Sequence, residues 1–154
     1  MAGFALPMFL QSPVCAETEK NMKEEKSRTE KLLSSHQTEA RFDGIQFIPC
    51  RFMTSLCPDK CGHAKNVAVF TISKYIDYKK TGKYGDEQQT VFFVDVSSPI
   101  NGNSFASKIR QAIAHLKEGN TVRLDWNHIY VTEGGSSFPE RPVTKLETLE
   151  IKEK

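Results

Sequence analysis

Apolar and polar residues alternate in short blocks from about Phe42 onward, and before that point they do not. Residues 45–52 (IQFIPCRF) are short, aromatic and β-branched, with Pro49 marking an edge or a bulge. Residues 67–78 (VAVFTISKYIDY) are apolar on both faces and then mixed, as expected of a strand that starts buried and bends outward. A third strand is predicted at 90–96 (TVFFVDV), and KKTGKYGDEQQ, with Gly82 and Gly85, reads as the hairpin loop before it. Phe105, Ile109, Ala112, Ile113 and Leu116 fall on one helical stripe, with Ser104 as N-cap and Gly119 as a left-handed C-cap. Residues 121–132 (TVRLDWNHIYVT) alternate through Val122, Leu124 and Trp126, and the apolar phase then shifts to Ile129 and Val131, which predicts a β-bulge. Residues 142–151 supply the last strand, and the glycine-rich stretch 133–142 (EGGSSFPERP) is expected to be a long loop.

The preceding segment behaves differently. Residues 17–31 hold five acids and five bases, with Met22 the one strongly apolar side chain. Opposite charges at i,i+4, such as Glu19 with Lys23, add only about 0.2–0.5 kcal/mol each to a helix. Without an apolar stripe this stretch is expected to be a solvated tether or an exposed helix. The chain therefore divides into a leader and charged segment, 1–41, and one folded domain, 42–154. With 154 residues, 38% apolar and 26% charged, a single core is expected.

A net charge of +2, spread along the chain, argues against a dedicated nucleic-acid binder, which concentrates a basic face on phosphates. No apolar run reaches the roughly 18 residues of a membrane span, so a cytoplasmic protein is expected. Residues 1–16 offer the alternative of export, because Val14 and Ala16 occupy signal-peptidase positions, although no basic residue opens the segment and Pro7 and Gln11 interrupt it.

The order strand, strand, strand, helix, strand, strand over about 43–152 resembles the oligonucleotide/oligosaccharide-binding fold, a five-stranded Greek-key barrel. The phrases CPDKCGHA and LDWNHIYVTEGGSSFPERPV also resemble parts of a small family without an assigned activity. The expected fold is mainly β, with one helix between strands 3 and 4. The resemblance implies a ligand groove flanked by the first and last hairpin loops, and it fixes no function.

Candidate chemistry centres on Cys50, Cys57, Cys61 and His63, all within fourteen residues. Thiolate and imidazole are the donors that tetrahedral zinc prefers, and four of them close a shell, which favours a structural over a catalytic ion. The C-x6-C-x3-C-x-H spacing matches no standard finger. A disulfide such as Cys57 with Cys61, or thiols without a ligand, are the alternatives, and Asp59 can replace His63 as fourth donor. Tyr75, Tyr78, Tyr84, Arg123, His128 and Tyr130 are the candidate ligand-binding residues: tyrosines near exposed loops, a basic side chain, and a histidine beside the expected bulge. A half-buried strand histidine is the plainer reading of His128, since Asp125 falls on the opposite face without a bulge.

No P-loop, dinucleotide fingerprint, GxSxG or HExxH is present. The sequence thus points to a non-catalytic binding module for an unidentified protein or small ligand. The alternatives are a single-strand nucleic-acid binder and a zinc- or thiol-dependent enzyme.

Overall fold

The structure, a computed structural model, describes residues 27–50, 64–98 and 104–149. Among these are six strands and one helix: β1 (Arg28–Ile48), β2 (Lys65–Lys80), β3 (Val91–Asp95), α1 (Phe105–Ala114), β4 (Thr121–Glu133), β5 (Ser136–Glu140) and β6 (Val143–Thr148). Every pairing is antiparallel, and the sheet runs β3-β2-β1-β4-β5, with β6 also against β4. The result is a mainly β, curled half-barrel with its helix between β3 and β4, consistent with a barrel of the oligonucleotide/oligosaccharide-binding type.

β5 and β6 lie end to end along one side of β4. β5 pairs with Ile129 to Glu133 and β6 with Val122 to Trp126. Between them Arg141 and Pro142 break the path, since proline has no N–H for a ladder, and the Pro142 carbonyl accepts from Asn127 N at 3.1 Å. They act as one interrupted strand, which is why the barrel counts five. The stretch 133–142, expected to be loop, holds β5; its turn is confined to Gly134 and Gly135, both at positive φ.

β1 is the spine, and it starts well before the expected boundary. Residues 28–41 form strand, bonded on one side to β2 and on the other to β4. The physical reason lies in what alternates: Ser34, His36, Thr38, Ala40 and Phe42 are buried, while Gln37, Glu39 and Arg41 face outward. As far as Ala40 the inward set is small or polar, so a search for apolar alternation passes over it. At Gly44, with φ +102°, β1 bends. Its register against β2 steps from Phe42↔Phe70 to Ile45↔Ala68, a bulge that a side chain at positive φ would strain.

The core gathers Ala40, Phe42, Phe70, Phe92, Leu124 and Trp126 from four strands, capped by Ile109 and Ile113 of α1. Trp126 is sandwiched between the Phe92 ring at 4.2 Å and the His36 ring at 4.6 Å. α1 begins at Ser104, whose hydroxyl accepts from Ser107 N, and ends with His115 as C-cap, one turn earlier than the sequence implies. Gly119 does take a left-handed φ of 87°, but in the turn beyond the helix, where its N–H donates to Phe42 O at 2.8 Å. The irregularity near His128 is also real but sits across from β4. Register steps from Leu32↔Ile129 to Ser34↔His128, so the extra residue is Leu33 of β1.

Candidate functional site

Two linked features stand out: a buried polar cluster under the β2–β3 loop, and an open seam where the barrel does not close. The cluster begins with Gly85. A Cβ there would lie 2.4 Å from the Leu33 carbonyl oxygen, a backbone atom that cannot move aside. Glycine therefore lets the loop settle on the β1 bulge, where Thr81 N also donates to Leu33 O at 2.9 Å. That close approach delivers Asp86 to His128.

Asp86 is the hub. Its backbone N–H donates to His128 Nδ1 at 3.1 Å, and its carboxylate accepts from Arg141 Nε at 2.6 Å and Nη2 at 3.0 Å. Its carbonyl accepts the Tyr78 hydroxyl at 3.0 Å, and Asp86 Oδ1 lies 3.2 Å from His128 Nδ1. Because Nδ1 accepts a backbone N–H, the imidazole proton of neutral His128 belongs on Nε2. That Nε2, like Trp126 Nε1, is buried with no partner among the described residues.

His36 lies beside this hub. Its Nε2 is 2.9 Å from Ser34 Oγ, its Nδ1 is 3.4 Å from the Tyr75 hydroxyl, and its ring stacks on Trp126 within 8° of parallel. Tyr75 also closes the loop's far end, accepting from Gln89 N at 2.7 Å. Burial pushes both imidazoles below the ordinary value of 6.5. Burial alone would raise the Asp86 carboxyl, but the hydrogen bonds and charge of Arg141 outweigh it and hold the group below the usual carboxylate range. The arrangement is therefore neutral imidazole, ionised carboxylate and guanidinium. Ser34 is fully buried beneath it, without the solvent access that a nucleophile needs.

The seam lies between β3 and the β5–β6 path. Thr90 and Val96 bond to β2, so antiparallel alternation leaves the N–H and C=O groups of Val91, Phe93 and Asp95 pointing away from it. A cavity of about 790 Å³ opens here, lined by Phe92, Val94, Ile109, Arg110, Arg141 and Val143 among others. Its size falls within the roughly 300–1,000 Å³ of small-ligand sites. Arg141 belongs to both features: its guanidinium is fixed by Asp86 and its side chain lines the seam.

The sequence candidates divide accordingly. Tyr75, Tyr78 and His128 come together around the loop, with both hydroxyls and His128 Nδ1 bonded inside the protein. Tyr84 stands apart at the loop tip, 78% exposed, and Tyr130 is 42% exposed opposite Pro139. Arg123 is bonded to Asp125 at 2.6 Å and to Gln37 at 2.8 Å, away from the cluster. Cys57, Cys61 and His63 lie outside the described residues, in the connection between β1 and β2; of the four metal candidates only Cys50 is described. Among the described residues no group of three or more His, Cys, Asp or Glu is placed to hold a metal ion.

Sequence reasoning missed His36, Asp86 and Arg141. The carboxylate partner of His128 arrives from 42 residues away, a pairing that no local spacing reveals. For His36 a signal existed: from Ser34 to Phe42 the charged and amide side chains all occupy odd positions. Among the described residues, no helix is long and apolar enough to cross a membrane. Comparison with known protein families, curated proteins and solved structures gives no match to this chain.

Proposed function

We propose that this protein is a non-catalytic binding module of the oligonucleotide/oligosaccharide-binding type, with its ligand in the seam and a structural zinc ion in the first strand connection. The observation that carries the reading is the unclosed barrel: a largely apolar cavity bordered by an edge whose backbone groups have no ladder partner among the described residues, and by a fixed arginine. Closed barrels have no edges, and an edge left open beside a cavity is where a ligand gains both apolar contact and directed hydrogen bonds.

Support for zinc comes from the donor set and its anchorage. Ile48 and Lys65 are register partners; Cys50 follows the first by two residues and His63 precedes the second by two. In sequence the outer donors thus flank the paired ends of β1 and β2, and Cys57 and Cys61 fall between them along the chain. An ion bound there stabilises the native state by its linkage free energy.

Two measurements test the reading. Elemental analysis of reduced protein should find zinc, and a chelator should lower the melting temperature; less than about half an equivalent of metal removes the zinc proposal. For the seam, amide shifts of Val94, Asp95, Ile109 and Val143 are followed during titration with short extended peptides, a trisaccharide and a thymidine oligonucleotide. Localised shifts from one probe support it, and none at up to about 1 mM from any of them overturns it.

A further inference from the structure

We propose that His128, Asp86 and Arg141 form an acid-released latch on the loop between β2 and β3: a proton from solvent taken up at His128 Nδ1 ends its acceptance of the Asp86 N–H and frees the loop's Asp86 side. The inference is independent of what enters the seam.

The argument is one of donors and acceptors. The Asp86 N–H to His128 Nδ1 bond of 3.1 Å exists only while Nδ1 keeps its lone pair. Once Nδ1 carries a proton, two N–H groups face each other, and the new donor finds its nearest acceptor in Asp86 Oδ1, 3.2 Å away. That oxygen already accepts from Arg141 Nη2 at 3.0 Å. The imidazolium and the guanidinium then share one carboxylate oxygen, while the new Nδ1–H repels the backbone amide that it had accepted. The ring cannot instead turn its other edge to the loop at no cost, because it is packed in the interior with Nε2 already without a partner.

The groups facing this site come from every neighbouring element. β1 contributes Ser34 and His36, β2 contributes Tyr75 and Tyr78, and β4 contributes Trp126 beside His128. The loop contributes Asp86 and Glu87, with Glu87 bonded to Lys80 and Tyr78, and Arg141 comes from the β5–β6 break. His36 is the other imidazole here, also pushed down by burial, and a positive charge on either imidazole disfavours charge on the other. The far end of the loop is held differently, by Tyr75 with Gln89 N and O; His128 takes no part in that pair, and His36 Nδ1 approaches it only through the Tyr75 hydroxyl at 3.4 Å. Opening is thus confined to the Asp86 side, and the Gln89 amide serves as an internal control.

The test is a pH titration of the full chain, with ring ¹⁵N shifts of the histidines and site-resolved amide hydrogen exchange. At neutral pH His128 should show the Nε2–H form. As it titrates, exchange at the Asp86 amide, corrected for intrinsic rate, should rise at least about tenfold with the same midpoint, while Gln89 stays protected. In His128→Asn, whose side-chain oxygen offers an acceptor near the place of Nδ1 and does not titrate, Asp86 should stay protected throughout. If this variant does not fold, the wild-type titration decides. Unchanged Asp86 protection while His128 titrates overturns the latch, as does a His128 still neutral at the acid limit of the native fold. A midpoint that follows His36 overturns it too.

Discussion

Gly85 shows how much one missing methyl group determines. Its φ is ordinary, so the constraint comes from space: a Cβ at 2.4 Å from Leu33 O would lift the loop off the β1 bulge and carry Asp86 away from His128 and Arg141. Gly85→Ala is expected to lower unfolding stability by about 1–3 kcal/mol. Gly82→Ala, three residues earlier with nothing within 4 Å, should stay within about 0.5 kcal/mol of wild type in the same urea titration. Equal losses at the two positions would mean that the close approach is not what holds the loop. The sequence marks both glycines as loop residues, but only the packing of a loop on a distant bulge separates them. The same holds for Asp86 and Arg141, which carry no signature as isolated residues.

At the scale of elements, β1 is where sequence and structure part most. Its inward row of Ser34, His36 and Thr38 is polar and fully buried because each side chain has a partner: Ser34 Oγ with His36 Nε2, and Thr38 Oγ1 donating to Leu124 O at 2.6 Å. Buried polar groups with partners cost little, so a strand whose inward row is polar over this stretch can be central. A chain shortened to 42–154 removes the part of β1 that joins β2 to β4 and exposes two long edges. Circular dichroism and amide shift dispersion should show it unfolded; a cooperative native fold in that fragment would return β1 to the status of a tether. The strands β2, β3 and β4 and the start of α1 were legible, because aliphatic alternation and a serine cap report on burial directly. β5 was not, since Ser136, Ser137 and Pro139 resemble a turn and become strand only against the end of β4.

For the whole molecule, two buried neutral imidazoles make stability depend on pH. Both have native values below the ordinary 6.5, so the unfolded chain binds more protons and stability falls as pH drops below that value, until the native values are reached. Asp86, held below its ordinary 3.8, adds a second loss beneath that point. The urea midpoint should therefore be lower at about pH 5.5 than at about pH 7.5, and an equal or higher midpoint at the acid pH would contradict the burial of both rings. By itself the sequence determined the β class, the helix and its place between the third and fourth strands, because periodicity in apolar side chains is a local consequence of which face is buried. Tertiary structure alone decided that a charged segment continues into the central strand, that the barrel stays open beside Arg141, and that His128 meets Asp86. Those outcomes depend on strand register and on contacts between residues far apart in the chain, where no short-range pattern carries the information.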